Sequence, residues 1–249
     1  MGTKFSTRIW VSVVGIASIF LGSKGYADTV ISVADFGLKP DTRENAVAYV
    51  QKAIEACRGK EPVTLVFPEG RYDFWPQYAH EKNYYETNTY DVFPKRLAML
   101  FEGLHNITVD GNGSQFIMHD RIQPITVENC DGVTLKNFSI DWDIPLTAQA
   151  RVTKVGSDFF EIEINVLESP YIIEDGKLVF VGEGWKSALG SMIEFESDTH
   201  FVVPGTGDLV LGWNWGDYTA VSPRYGIVRL SRKGGFERYP AEGNWLVLR

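Results

Sequence analysis

The sequence predicts an all-β fold in which a parallel β-helix is interrupted by an antiparallel β-barrel or sandwich. The first observation is a repeat: residues 99–111 align with residues 125–137 at a constant offset of 26 residues, so that Phe101 falls on Val127. Short alternating strands with Gly, Asn and Asp turns at a fixed period are typical of β-helix coils. The second observation is a run of short strands between residues 148 and 242 that lacks this period, as expected of an antiparallel domain.

The β-helix is predicted to begin at residue 28 and to run to residue 147. Apolar residues recur at helical spacing between Glu44 and Cys57, which predicts one helix, with Asp41 or Thr42 placed to cap it. Residues 76–95 are polar and rich in tyrosine. They predict a long loop, which either carries function or is a plain surface excursion.

The pattern changes after Pro145. Two alternating runs joined by Gly-Ser-Asp predict an antiparallel hairpin over residues 150–164. We interpret residues 148–242 as a domain inserted between coils. Residues 243–249 are predicted to return to the β-helix, which the sequence then cuts short at Arg249. A solenoid of this kind needs roughly three stacked coils to bury its apolar face.

The first 27 residues have the composition of a secretory signal peptide. Lys4 and Arg8 give a positively charged start, which an apolar run over residues 9–21 follows. Residues 25–27 (Gly-Tyr-Ala) fit a cleavage site ahead of Asp28. The apolar run is short for a transmembrane helix, so an uncleaved anchor is the less favoured alternative. We therefore expect an exported protein, periplasmic or extracellular, without a membrane span after cleavage.

The charge of the chain restricts its partners. The formal net charge is −8, and removal of residues 1–27 takes away three positive charges and brings it to −11. Because an acidic surface repels nucleic acid and anionic membranes, we expect neither as a partner. The same charge argues less strongly against polyanionic polysaccharides and leaves neutral sugars open.

Neither the cysteines nor the histidines indicate a metal, a cofactor or a nucleophile. Cys57 and Cys130 could pair in an exported protein, but Cys130 holds the coil position that Leu104 holds one repeat earlier. Buried, unpaired thiols are therefore favoured over a disulfide. The histidines show no spacing typical of metal ligands; they are His80, His105, His119 and His200.

Asp141 and Asp143 are the best local candidates for contact with a sugar. In an extended strand they project from one face and Trp142 from the other, because side chains alternate with period two. Paired carboxylates at a coil edge could bind sugar hydroxyls or tune a catalytic acid. The alternative is a turn, since Asp is common where a chain leaves a strand.

Two further patterns have competing interpretations. Trp213 and Trp215 lie in a segment of loop-like composition, and two indoles on one face could stack on a pyranose or could fill a barrel core. Glu102 falls in register with Glu128. This register predicts a solvated ladder of like charge rather than a site.

Three segments near the N-terminus carry a structural signature. They are residues 35–37 (Asp-Phe-Gly), the end of the predicted helix at residues 51–57, and residues 65–72 (Leu-Val-Phe-Pro-Glu-Gly-Arg-Tyr). The signature resembles that of pectate-lyase-like right-handed β-helices. The resemblance implies that the short helix caps the open end of the solenoid, where it prevents strand edges from pairing with other chains.

Further segments at residues 70–76, 94–97, 139–147 and 181–186 resemble the N-terminal half of glycoside hydrolase family 110. Members of that family are exo-acting α-1,3-galactosidases that remove terminal galactose. The resemblance covers nearly all of the mature chain and implies a β-helix interrupted by a β-barrel, with metal-independent hydrolysis and inversion. Inversion needs two carboxyl groups ~6.5–9.5 Å apart. The resemblance places that pair beyond Arg249, so no residue here receives a catalytic role.

The sequence therefore predicts the N-terminal fragment of an exported α-1,3-galactosidase, inactive by itself, that acts on galactose-terminated carbohydrate. Two other hypotheses stay open at this point. One is a non-catalytic carbohydrate-binding or adhesin β-helix. The other is a different β-helix enzyme that degrades polysaccharide, which the acidic charge and the absence of a clustered Asp or basic catalytic signature disfavour.

Overall fold

The computed structural model describes residues 29–84, 94–205, 218–236 and 238–248. The predicted signal peptide at residues 1–27 lies outside the described residues, and so do Trp213 and Trp215. Within those described ranges, no helix is long and apolar enough to cross a membrane.

The chain divides into two units. The first contains the described residues up to Ile117 together with Gln123–Ile140, and the second contains Met118–Ile122 and the described residues from Asp141 onward. In its described residues, the first unit contains two sheets, a 3₁₀ helix (Val33–Phe36) and one α-helix. Its strands and α-helix are β1 (Thr29–Ser32), α1 (Val47–Cys57), β2 (Val63–Val66), β3 (Arg71–Phe74), β4 (His80–Lys82), β5 (Lys95–Glu102), β6 (His105–Met118), β7 (Gln123–Glu128) and β8 (Asp131–Trp142). The last residue of β6 and the last two residues of β8 belong to the second unit.

Three strand pairs of the first unit are parallel. β1 pairs with β2, β2 with β6 and β5 with β7, each in the parallel direction, whereas β4 joins β5 antiparallel. In the β5–β7 pair, Phe101 lies opposite Val127 and Glu102 lies opposite Glu128. The 26-residue alignment is therefore confirmed at these positions.

The turns obey the same offset as the strands. Gly103 and Asn129 both have left-handed backbone, and so do Asn106 and Gly132. Glycine has no Cβ to clash in this conformation, and asparagine tolerates it better than most residues. The repeat thus extends from the strand register to the local backbone that ends each strand.

Helix α1 is shorter at its start than predicted, and Asp41 and Thr42 do not cap it. The Asp41 carboxylate instead accepts a hydrogen bond from the Arg71 backbone N (2.9 Å). Asn45 Oδ1 accepts from the Val47 backbone N (3.1 Å), which satisfies one free donor at the helix start. The helix packs against β1, β2 and β5. Its buried residues are Val47, Val50, Ala53, Ile54 and Cys57.

The core of the first unit is aromatic. Phe116 lies at its centre, with ring centroids 4.7 Å from Phe67, 5.7 Å from Phe74 and 4.7 Å from Phe138. Such packing adds edge-to-face and stacking attraction to the burial of apolar area. Cys57 and Cys130 are unpaired, as predicted. Burial raises the pKa of the Cys57 thiol to about 11, so it stays protonated and unreactive at neutral pH.

The second unit consists of antiparallel strands. They are β9 (Ala148–Val155), β10 (Phe159–Ile164), β11 (Tyr171–Glu174), β12 (Lys177–Gly182), β13 (Trp185–Ala188), β14 (Met192–Phe195), β15 (Tyr218–Arg224), β16 (Ile227–Arg232) and β17 (Trp245–Leu248). One sheet has the order β14-β17-β9-β10-β16-β15 and the other has the order β11-β12-β13. The predicted hairpin is confirmed, because β9 and β10 pair antiparallel. Both sheets contribute to one apolar core, for example through Phe160 and Phe180.

The prediction that residues 243–249 return to the β-helix is wrong. β17 lies between β9 and β14 in the antiparallel sheet and pairs with both. Leu246 and Leu248 are fully buried in the core of the second unit. A short alternating strand fits either environment equally well, and here it completes the sheet.

Candidate functional site

Three polar side chains from separate segments of the second unit converge at one place. His119 comes from the segment Met118–Ile122, Asp143 follows β8, and Glu183 lies in the turn between β12 and β13. One ligand atom from each side chain lies within 4.8 Å of the others. We call these three residues the His119 cluster.

The His119 cluster is closed on its imidazole side and open on its carboxylate side. His119 is only 3% exposed, and its Nδ1 lies 2.5 Å from Glu183 Oε2. The Glu183 side chain is 40% exposed, and Asp143 is exposed. A fixed nitrogen therefore faces two carboxylates that solvent can reach.

Two hydrogen bonds to backbone carbonyls hold the segment that carries His119. The Asp143 N–H donates to the Met118 carbonyl (3.0 Å), and Trp142 Nε1 donates to the Asp120 carbonyl (3.3 Å). These two bonds lie on either side of His119 in the sequence. They fix its position against the residues that follow β8.

Two glycines let the backbone of the β12–β13 turn lie close to the side chains of Asp120 and Trp185. Gly184 has φ +74°, and a Cβ there would lie 2.5 Å from Asp120 Oδ2. A Cβ at Gly182 would lie 2.1 Å from the Trp185 ring. The Trp185 ring in turn lies under the Arg121 guanidinium, 5.6 Å from its centroid, a cation–π distance. A Cβ at either position would therefore collide with a neighbouring side chain, and the left-handed backbone of Gly184 also favours glycine in the turn that carries Glu183.

The chemistry available to the His119 cluster follows from its charge and spacing. The three groups offer one imidazole and two carboxylates, whose acceptor atoms suit hydroxyl groups or a cation. The ligand atoms of Asp143 and Glu183 lie within 4.8 Å. An inverting glycosidase separates its two carboxyl groups by ~6.5–9.5 Å to admit a water molecule. This pair therefore lacks the geometry of an inverting catalytic pair.

The predicted site residues do not all lie in one place in the structure. Asp143 joins the His119 cluster, whereas the Asp141 carboxylate accepts a local bond from the Trp142 backbone N (2.8 Å). The Trp142 indole is half-buried. Trp213 and Trp215 lie outside the described residues. A role of these five residues in sugar binding stays a prediction.

Sequence reasoning missed His119 and Glu183. They are separated by 64 residues, so no linear spacing connects them. The available signal was Glu183 between two glycines and ahead of Trp185. A glycine-flanked acid in a turn indicates that the backbone comes close to something, but it does not name the partner.

A second polar cluster, in the first unit, corrects the prediction of a solvated ladder of like charge. Lys82 Nζ lies 2.5 Å from Glu102 Oε1 and 2.9 Å from Glu128 Oε2. The Tyr84 hydroxyl also donates to the Glu128 carboxylate. The two carboxylates are therefore bridged by a cation that a neighbouring strand, β4, supplies.

Known proteins resemble both the second unit and the chain as a whole. A family model described as GLAA-B beta-barrel domain I matches residues 148–246, which include the start of β17. The chain is 57% identical over 225 residues to "Alpha-1,3-galactosidase B" of Bacteroides thetaiotaomicron, a match that covers 90% of this chain and 36% of the relative. The chain is thus homologous to the N-terminal portion of family 110 glycoside hydrolases.

Two further relatives are less similar in sequence. "Alpha-1,3-galactosidase A" of Shewanella woodyi is 32% identical over 88% of this chain and 35% of the relative. "Alpha-1,3-galactosidase A" of Bacteroides fragilis strain YCH46 is 34% identical over 89% of this chain and 36% of the relative. The chain spans about a third of the length of these three relatives.

Proposed function

We propose that this chain is the N-terminal part of an enzyme that hydrolyses terminal α-1,3-linked galactose with inversion. The observation that carries the proposal is the 57% identity to a protein named alpha-1,3-galactosidase B over 90% of this chain. The match leaves 64% of that relative without a counterpart here. We therefore place the two catalytic carboxyl groups outside these 249 residues and expect the chain alone to be inactive.

We also propose that the first unit is part of a right-handed parallel β-helix of the pectate-lyase-like kind. Three parallel strand pairs support it, together with the 26-residue register between β5 and β7. Left-handed Gly and Asn residues at the same offset support a repeating coil. The packing of α1 against β1, β2 and β5 is compatible with a helix that caps the first coil.

Asp141 and Trp142 are the residues that we propose for contact with the sugar, together with Trp213 and Trp215. Their chemistry supports the proposal, because carboxylates accept hydrogen bonds from sugar hydroxyls and indole faces pack on the apolar side of a pyranose. Asp143 belongs to the same proposal and also lies in the His119 cluster. The expected ligand is a galactose-terminated glycan.

Export of the protein is a further part of the proposal. The support is the sequence of residues 1–27, with its charged start, apolar run and small-x-small end. Cleavage ahead of Asp28 would release the mature protein into the periplasm or the medium. N-terminal sequencing of the mature protein tests this directly.

The experiment for the activity is galactose release by the full-length protein. We expect release from an α-1,3-linked galactobioside and little or none from the α-1,4- and α-1,6-linked isomers, which serve as matched controls. Binding of an α-1,3-galactoside without cleavage would instead indicate a carbohydrate-binding protein. Release from the α-1,4- or α-1,6-linked isomer in preference would contradict the proposed linkage.

A further inference from the structure

We propose that the His119 cluster binds one divalent transition-metal ion of the Zn²⁺ type, with a structural role. His119, Asp143 and Glu183 offer one imidazole nitrogen and two carboxylates. These are ligand types that Zn²⁺ takes, and three protein ligands with a water molecule complete its usual coordination. The inference goes beyond the proposed galactosidase activity and does not depend on it.

The geometry needs only a small adjustment to hold the ion. Around a tetrahedral Zn²⁺ at ~2.0–2.1 Å from each ligand, the ligand atoms stand about 3.3 Å apart. The three atoms already lie within 4.8 Å of one another. His119 Nδ1 and Glu183 Oε2 are closer, at 2.5 Å, where a hydrogen bond joins them. An ion would therefore replace this hydrogen bond, part these two atoms by less than about 1 Å and bring all three ligand atoms to the tetrahedral spacing.

The adjustment requires the two carboxylates to move while the imidazole stays in place, and the burial of the three side chains is consistent with this. His119 is 3% exposed, and the carbonyls of its neighbours Met118 and Asp120 both accept hydrogen bonds, so the nitrogen stays in place. Glu183 and Asp143 reach solvent and can move toward an ion. Their two negative charges offset the charge of a divalent cation.

Such an ion would join three parts of the second unit. These parts are the segment Met118–Ile122, the residues after β8 and the β12–β13 turn. Because an ion bound only by the folded state stabilises that state by mass action, the expected effect is on stability. The site then assigns Asp143 to the ion and leaves Asp141 and Trp142 as sugar contacts.

Titration of the untagged 249-residue chain with ZnCl₂ tests the proposal. Isothermal calorimetry and the melting temperature are the readouts. We expect one equivalent to bind, with a rise in melting temperature. Asp143→Asn should weaken binding about 10-fold or more, since even outer partners of metal ligands cost 10–100-fold. His119→Ala should abolish it. His105→Ala removes an exposed histidine of the first unit and should bind Zn²⁺ as the wild type does.

Asp143→Asn decides the result if His119→Ala does not fold, because Asp143 is exposed. Zn²⁺ binding that is unchanged in Asp143→Asn would contradict the assignment, and so would no saturable binding at millimolar Zn²⁺. Tighter binding of Ca²⁺ than of Zn²⁺ would overturn the transition-metal type, because Ca²⁺ prefers a shell of oxygen ligands. None of these readouts depends on galactose release, so this proposal and the proposed activity fail separately.

Discussion

Glu102 lies directly opposite Glu128 in the parallel β5–β7 pair. Like charges at this spacing repel and destabilise a sheet unless a cation intervenes. Lys82 supplies that cation from the neighbouring strand β4, with its ammonium in contact with both carboxylates. The two hydrogen bonds from Lys82 to Glu102 and Glu128 raise the lysine pKa. The ladder is therefore an ion-pair network that fastens β4 to the sheet.

Replacement of Lys82 by methionine should lower the melting temperature. The substitution keeps the apolar stem but leaves two carboxylates opposite each other without a counter-charge. Because salt screens exposed charges, we expect the deficit to shrink as NaCl is added. Thermal unfolding at low and high ionic strength measures it. Lys52→Met removes an exposed lysine from α1 as the control, and an equal melting temperature for the two variants would contradict the network.

Glu128 should make the stability of the chain sensitive to acid. The hydrogen bond from the Tyr84 hydroxyl, followed by that from Lys82, holds the Glu128 pKa below its ordinary value of 4.5. A carboxyl with a lowered folded pKa contributes stability above its unfolded pKa, and this contribution is lost as the pH falls through the folded pKa. The stability difference between wild type and Glu128→Gln should therefore be full at neutral pH and should decline below about pH 4.5.

Denaturant unfolding at a series of pH values measures this difference. Glu163→Gln, an exposed site on β10, controls for the removal of one carboxylate. A wild-type advantage over Glu128→Gln that stays constant from neutral pH down to pH ~3 would show that the carboxylate form plays no part.

A shared acceptor in the aromatic core predicts non-additive mutations. The Tyr72 hydroxyl donates to the Pro68 carbonyl (2.7 Å), and Ser114 Oγ donates to the same oxygen (3.0 Å). Tyr72→Phe and Ser114→Ala should each cost about 1 kcal/mol, because the other donor still satisfies the carbonyl. The double variant should cost more than the sum, since it leaves the acceptor without either partner.

The double-mutant cycle is measured by urea unfolding. Strict additivity would indicate that water replaces the lost donors. Burial also raises the pKa of Tyr72 to about 12, which keeps the hydroxyl protonated, and so able to donate, through the pH range of the experiment.

The placement of β17 can be tested by one core truncation. Leu246 is fully buried in the second unit, so Leu246→Ala should destabilise the chain by roughly 2–5 kcal/mol. Leu167 is 87% exposed, and Leu167→Ala should change stability by less than about 0.5 kcal/mol. Denaturant unfolding gives both values. A near-neutral Leu246→Ala would indicate that β17 does not belong to the core of the second unit.

The features that repeat or alternate locally could be predicted from the sequence. The pairing of Phe101 with Val127 follows from a strict offset, because a coil that slips by one residue turns its apolar side chains outward. The β9–β10 hairpin follows from its turn residues and alternation. Both depend on residues that are close in sequence or related by a period.

The features that the sequence did not predict are contacts between segments that lie far apart in the chain. Leu246 and Leu248 alternate with half-buried neighbours, a pattern that a coil and an antiparallel strand share, so the sequence could not choose between them. The pairing of Lys82 with Glu128 crosses 46 residues, and that of His119 with Glu183 crosses 64. Neither contact has a local signature. From side-chain charge alone, Glu102 and Glu128 were predicted to repel each other. Lys82 was not included because its segment was predicted to be a loop, whereas it forms β4 and pairs with β5.

The most direct test of the central claim is the anomeric form of the galactose that the full-length protein releases from an α-1,3-linked galactobioside, followed by proton NMR. Inversion predicts that β-galactose accumulates first and then mutarotates, whereas the 249-residue chain alone releases none. No release by the full-length protein would contradict the proposed activity. First accumulation of α-galactose would contradict inversion.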